Sequence, residues 1–440
     1  MPLDNPRDNS PEVKGNKKVI NAWAMYDWAN SAHALVIVSA IFPIYYAKMA
    51  EHHDTVSFVG KEFKSDSLFS YAVSFAYLFV ALFSPMLSSI ADYSGRKKSF
   101  MIFFCTLGAL SCAGLYFFDS FDHLWIGIDC FILSVVGYSG SIVFYNAFLP
   151  EIAYPEQQDK VSAKGFAYGY VGSSLLLIFN LIMIQKPELF GITDASFPAR
   201  FSFLLVGLWW LGFAQITFYY LPSNPTNLKP VGNFLLNGYK ELQVVWKILK
   251  GTGNLKKFLI AFFFYNAGVQ TVMYVAALFG SYELKLDTGI LITTILIIQF
   301  VAMAGALFFA WLSGKFGNIK AISIAIMIWI AVCVGAYFVT EKNGFMILAA
   351  FVGMVMGGIQ SLSRSTYSKM LPETKDHASF FSFYDVCDKI GIVLGTAGFG
   401  FVIEVTGSMR NSILWLIGFF IIGLILLLRI RTKNDKLIPV

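Results

Sequence analysis

Twelve apolar stretches, each close to the length a helix needs to cross a bilayer, set what this chain of 440 residues folds into. A helix rises about 1.5 Å per residue, so about 20 apolar residues cross the hydrocarbon core. The stretches run over 23–47, 67–91, 99–118, 123–147, 165–185, 200–221, 257–281, 288–312, 319–340, 344–366, 379–404 and 411–430. Only 14% of the residues are charged, against about 25% in soluble chains, and the mean hydropathy is +0.64. The chain reads as an all-α membrane protein with twelve transmembrane helices.

The Lys and Arg residues give the orientation. Of 33, 24 fall in or at the edge of the tails and loops on the side of the N-terminus, 8 in or at the edge of the loops on the other side, and Lys389 lies well within a span. Cytoplasmic loops carry the excess of cations, so both termini are expected in the cytoplasm and the protein in the plasma (inner) membrane. The net charge of +6 is spread over those loops and points to no nucleic-acid partner. The polar tail from Met1 to Lys18 mixes acids with bases and does not read as a signal peptide. Cys105, Cys112, Cys130, Cys333 and Cys387 all fall inside spans, form no Cys-x-x-Cys pair, and read as small buried apolar residues.

The halves of the chain echo each other. Leu149-Pro150-Glu151 recurs as Leu371-Pro372-Glu373, an offset of 222 residues. The same offset carries Ser139 to Ser361, Ser141 to Ser363, Tyr145 to Tyr367 and Gly95 to Gly317. A six-helix unit has therefore been duplicated, an architecture in which two halves rock about a midplane site. The expected division is a tail at 1–20, an N-terminal half at 21–221, a cytoplasmic linker at 222–256, a C-terminal half at 257–430 and a tail at 431–440. The linker holds three prolines and then an amphipathic basic piece, Tyr239 to Leu249, expected along the membrane surface.

Between spans 2 and 3 lies the short turn Ser88-Ser89-Ile90-Ala91-Asp92-Tyr93-Ser94-Gly95-Arg96-Lys97-Lys98. Its pattern, a small residue four before Asp92 and then Gly95-Arg96-Lys97, resembles the signature loop of the major facilitator superfamily. In that superfamily the loop meets the inner end of helix 11. The resemblance implies a conformational gate of Asp92, Gly95 and Arg96 with Asp385, Asp388 and Lys389, in which Asp385 or Asp388 receives Arg96. Asp385 and Lys389 are four apart and are expected to pair locally. At the duplicated turn Asp92 becomes Gly314 and Arg96 becomes Asn318, so only the first copy is expected to act as a charged latch.

Polar groups inside a bilayer are costly unless paired or facing a water-filled cavity, which makes each a candidate site. The candidates for the substrate or proton pathway are Asp27, Asn30, His33, Asn266, Gln270, Gln360 and Arg364. Asp27 and Asn30 share a helix face, and His33 lies near the midplane, where its titration near neutral pH suits proton coupling. Arg364 is expected to bind a substrate carboxylate, to pair with Asp27, Asp385 or Asp388, or to snorkel to the interface. Asn266 and Gln270 are one turn apart and read as hydrogen-bonding ligands or as helix–helix contacts. Packing is the expected role of Gln299, Asn180 and Tyr138.

Trp23-Ala24-Met25-Tyr26-Asp27-Trp28-Ala29-Asn30-Ser31-Ala32 is similar to the opening of the vacuole-effluxer-like branch of that superfamily. Gln360-Ser361-Leu362-Ser363-Arg364-Ser365 and Phe380-Phe381-Ser382-Phe383-Tyr384 resemble it too. The resemblance implies a secondary transporter working by alternating access, with helices 1, 4, 7 and 10 lining the path and amino acids as the leading solute. The alternatives are a lipid or drug exporter and a non-transporting membrane sensor. No phosphate-binding Gly-x-x-x-x-Gly-Lys-Ser/Thr loop occurs, so ATP-driven pumping is not expected, and with no strong hydrolase, kinase or zinc motif enzymatic activity is not expected either. No cofactor or metal is expected either. The expected partners are a small-molecule substrate, protons as candidate coupling ion, and the lipid bilayer, with the chain itself a monomer.

Overall fold

The computed structural model describes residues 13–50, 55–58, 60–194, 196–223 and 234–430. The expected tail at 431–440, most of the tail at 1–20 and the middle of the linker fall outside them. Twelve described helices are long and apolar enough to cross a membrane. They are α1 (Lys17–Ala50), α2 (Ser65–Ser94), α3 (Lys97–Gly114), α4 (Leu124–Ala147), α5 (Pro155–Gln185) and α6 (Phe197–Tyr220). The second set is α7 (Gly253–Tyr282), α8 (Thr288–Phe316), α9 (Asn318–Phe338), α10 (Lys342–Met370), α11 (His377–Thr406) and α12 (Met409–Leu428). The remaining described elements are short helical turns, one helix of the linker and a two-stranded hairpin. In the hairpin Thr55–Phe58 pairs antiparallel with Lys61–Lys64, beside the start of α2.

The duplication is visible in the packing. α3 packs on α4 and α6, α1 on α5 and α6, and α2 on α4. The second set repeats every pair: α9 on α10 and α12, α7 on α11 and α12, and α8 on α10. Across the two sets α5 meets α8 and α10, while α11 meets α2 and α4, which are again equivalent pairs. Apolar stripes at helical spacing face outward, as along α2 at Tyr71, Phe75, Leu78, Phe79 and Leu82. A bilayer leaves such residues no reason to be covered.

Several helices exceed the thickness of a membrane. At 30 residues α2, α7 and α11 are each about 45 Å long, against about 30 Å of hydrocarbon. Each has one end on the face that carries the first and last described residues, here the chain-end face. Two turns there reverse the chain, α2 into α3 at Gly95 (φ +64°) and α8 into α9 at Gly317 (φ +84°). Both φ values lie where a side chain is strained, so glycine recurs at both copies.

α1 is interrupted at its centre. His33–Ala40 winds as a π-helix, with Ile41 N–H reaching back five residues to Val36 O. The Ser39 hydroxyl donates to Ala34 O at 2.9 Å over the same span. The linker helix, Phe234–Gly251, lies against α2, α7 and α11, and Trp246 stacks on Phe383 with ring centroids 5.5 Å apart.

Candidate functional site

Two to three turns into α11 three ionisable side chains sit together. Asp388 lies eleven residues, about 17 Å, from the start of this 30-residue helix. One of its oxygens accepts from Asn266 Nδ2 (2.6 Å) and Gln270 Nε2 (3.0 Å) on α7, and the other from Lys389 Nζ (2.7 Å). Lys389 also lies 3.3 Å from Asp385 Oδ1, the expected local pair. The side chains of Asp385, Asp388 and Lys389 keep 6%, 16% and 9% of their surface. From α2, Tyr77 places its ring 5.6 Å from Lys389 Nζ and hydrogen-bonds Tyr274 of α7 across 2.6 Å. The cluster therefore sits at the seam between the two sets of helices. It unites Asn266 and Gln270 with three residues expected at the gate.

Nearer the chain-end face Arg364 crosses the same seam. It lies six residues, about 9 Å, before the end of α10. Its guanidinium enters the first set of helices, with Nη2 3.1 Å from Asp27 Oδ2 of α1. Nε and Nη2 donate to the hydroxyl and carbonyl of Ser162, each at 2.9 Å, and Nη1 to Asn146 Oδ1 at 3.4 Å. The plane lies over Phe166 (4.2 Å) and Trp23 (4.8 Å). Tyr145 OH donates to the Asp27 oxygen that Arg364 holds, at 2.8 Å. The residues of the resemblance thus form one buried ion pair in an aromatic box. Of the openings left to Arg364, pairing with Asp27 is the one realised. Gln360, one turn earlier, accepts from Tyr170 OH across the seam at 2.7 Å.

At the chain-end face Asp92 caps α11 from outside. It accepts from the backbone N–H of Ala378 (3.3 Å) and Ser379 (2.7 Å) and from the Ser379 hydroxyl (2.8 Å). These are unsatisfied donors of a helix N-terminus, where a carboxylate is doubly favoured. Lys97 pairs with Glu151 and lies 3.9 Å from Asp92. His377 Nδ1 donates to Glu151 Oε1 at 2.9 Å.

Two expectations are corrected here. Arg96 does not meet Asp385 or Asp388: it is exposed at the start of α3 and pairs with no carboxylate among the described residues. Asp385 and Asp388 are two or three turns deeper than the helix start that Asp92 occupies. Nor is the first latch the only charged one. At the second turn Asp159 of α5 supplies the carboxylate that Gly314 lacks, accepting from Ser313 Oγ (3.0 Å), Asn318 Nδ2 (2.8 Å) and Lys369 Nζ (2.6 Å). Asp159 sits in a polar stretch ahead of the apolar part of α5, where hydropathy gives no signal. An Asp within a turn of Pro155, a good first helical residue, was the available clue.

His33 stands apart from both ionic groups. It is buried, Nε2 is 3.0 Å from Ser134 Oγ, and its ring stacks on Tyr138 at 4.9 Å. Asn30 is buried too, with Ser31 Oγ donating to its oxygen at 3.4 Å. Asn180 and Gln299 are buried in their helices and take part in neither ionic group.

The chain compares with known proteins as follows. The family model described as "Vacuole effluxer Atg22 like" matches residues 15–437. An uncharacterized MFS-type transporter of Bacillus subtilis, YxiO, is 32% identical over 418 residues, covering 94% of this chain and 95% of the relative. Autophagy-related protein 22 of Kluyveromyces lactis is 25% identical over 476 residues, covering 95% and 94%. Among solved structures, the human organic anion transporter MFSD10 aligns with a TM-score of 0.71 at 11% identity, over 93% of this chain and 99% of that one. The proton:xylose symporter XylE aligns with a TM-score of 0.70 at 12% identity, over 94% and 95%. Fold and sequence agree, and the chain belongs to the vacuole effluxer Atg22-like family of the major facilitator superfamily.

Proposed function

We propose that this protein is a secondary active transporter that moves a small polar solute across the plasma membrane by alternating access. The observation that carries the reading is the cluster of Asp385, Asp388, Lys389, Asn266 and Gln270, inside the membrane-crossing helices α7 and α11 and at the seam between the six-helix sets. A buried ionic group of this kind is expensive in lipid and needs a use. The cation bias supports a cytoplasmic chain-end face in this reading. Arg364 with Asp27, and the latches of Asp92 and Asp159, then close the inner mouth, while the Tyr77–Tyr274 bond crosses the seam at the cluster.

Amino acids are the first solutes to test, since the fungal relatives belong to a family described as vacuole effluxers. Coupling to protons is part of the proposal. Its candidate groups are the central carboxylates and His33, which lies one helix away from them. The test is uptake of a labelled amino-acid mixture into liposomes holding the purified protein, with and without an imposed pH gradient. Uptake above empty liposomes that rises with the gradient is the expected result. Uptake indifferent to the gradient, with His33→Ala unchanged, removes the proton coupling. No uptake of any solute removes the transport reading.

An apolar cavity inside the second set of helices favours one other reading, export of a lipid or drug. Val272, Phe279, Ile298, Val352, Phe399 and Leu416 line it. Competition for transport by hydrophobic cations would select that reading over the polar solute.

A further inference from the structure

The central cluster is short of one positive charge. Asp385 and Asp388 bring two carboxylates, Lys389 one ammonium, and Asn266 and Gln270 only neutral amides. Arg364, the next buried cation along the seam, is committed to Asp27. The deficit shows at a particular atom. Asp385 is 5% exposed, and its Oδ2 has no hydrogen-bond partner among the described residues. An unpaired carboxylate oxygen inside a membrane protein is costly and marks a position built for a donor.

Lys389 shows what kind of donor fits. Its ammonium bridges the two carboxylates, 2.7 Å from Asp388 Oδ2 and 3.3 Å from Asp385 Oδ1, over the face of Tyr77 at 5.6 Å. Two carboxylates and an aromatic face are the surroundings an alkylammonium prefers. The Lys stem has four rotatable bonds, so the ammonium can swing away without any helix moving.

On the reading of the chain as a carrier of small polar solutes, we propose that this cluster is an ammonium subsite and that Lys389 is its tethered occupant. The ammonium of an incoming amine or amino acid docks between Asp385 Oδ2 and Asp388 and displaces Lys389 from the bridge. Two cations then face the two carboxylates of the cluster, and the site is neutral, the carboxylate of an amino acid lying outside it. A carboxylic acid without an amine would add a third negative charge, and an uncharged sugar would leave the deficit in place. Lys389 holds the two carboxylates together between solutes, so the empty site keeps its shape.

The test is thermal unfolding of the purified full-length protein with an excess of glycine, alanine, lysine or putrescine. The controls are the same carbon skeletons without the amine: acetate, propionate, hexanoate and 1,4-butanediol. The expected result is a raised midpoint with at least one amine and none with its deaminated counterpart. Asp385→Asn should abolish the shift. Lys389→Met removes an internal competitor and should tighten amine binding by about tenfold or more, since tethered groups compete at millimolar effective concentration. Should that variant fail to fold, Asp385→Asn with Lys389→Met restores the wild-type net charge and should still bind the amine.

Three results would overturn the proposal. One is an absence of stabilisation by every amine in the panel. Another is weaker amine binding on removal of Lys389. The third is a midpoint raised by acidification alone, with amines inert, which would make a proton the missing cation. Failure of the carrier reading looks different, because liposomes would then move no solute at all. Liposomes that transport an amine-free solute, unaffected by Asp385→Asn, keep the carrier and discard the ammonium subsite.

Discussion

Gly165 shows how closely the buried Arg364 is held. It lies on α5 against the ion pair, and a methyl group there would run into Asp27 Oδ2, Arg364 Nη2 and Tyr145 OH. The pair has no slack, so Gly165→Ala should reduce transport and lower the unfolding temperature in a detergent melt. Removing one partner leaves the other charge buried and alone, at a cost of about 3–5 kcal/mol. Arg364→Gln should approach that loss, and the double variant with Asp27→Asn should recover part of it in a double-mutant cycle. Arg364→Lys should not rescue, since an ammonium cannot serve Asp27, Ser162 and Asn146 from one planar fork. Asp27 and Arg364 were legible because a charge in an apolar span calls for a partner. Tyr145, Ser162 and Gly165 were not, because they join the site through α4 and α5, far off in sequence. Tyr145 was noticed only as the repeat mate of Tyr367, and the mates have parted company. Tyr145 serves Asp27, whereas Tyr367 donates to Phe380 O at 2.6 Å.

At the scale of elements, the two latches make distinct predictions for neighbouring residues. Asp92 supplies the cap bonds that Asp376, the N-cap residue of α11, does not make, and cap removal typically costs about 1 kcal/mol. Asp92→Asn should therefore shift the population toward a form open at the chain-end face, read as faster alkylation of cysteines placed in the seam. Arg96→Ala should leave that rate close to the wild type, because the side chain is exposed and pairs with no described carboxylate. Asp159→Asn should open the same face as Asp92→Asn does, although no turn signature contains it. The twelve helices were readable because hydropathy reports contact with lipid. Their polar ends were not, since α5 begins ten residues before its apolar part and carries Asp159 there. The π-helical stretch at His33–Ala40 and the hairpin at Thr55–Lys64 escaped for a related reason. One extra residue per turn leaves no mark on a mostly apolar sequence, and a four-residue strand is too short for periodicity to declare.

On the scale of the whole molecule, the ionic contacts across the seam at the chain-end face run one way. Asp27, Asp92, Glu151 and Asp159 belong to the first six helices. Arg364, Lys369, His377 and the N-terminus of α11, which receive them, belong to the second. Raising the salt concentration should screen the partly exposed members and favour the form open at that face, while the buried Asp27–Arg364 pair resists. Seam-cysteine alkylation across a salt series would check this, and a rate independent of salt would count against it. The repeat offset of 222 residues made the duplication legible, but not this polarity, which arose as each half gained charges where its mate has none: Arg364 and Lys369 match Ile142 and Ala147, and Asp92 and Asp159 match Gly314 and Phe381. The consequence concerns partner choice. A chain ending at Pro222 and another beginning at Phe234, made in one cell, should find each other and shun their own kind. Two first halves would set four carboxylates against four more, and two second halves would crowd their cations. A gene duplication that began with interchangeable units has ended with a lock and its key.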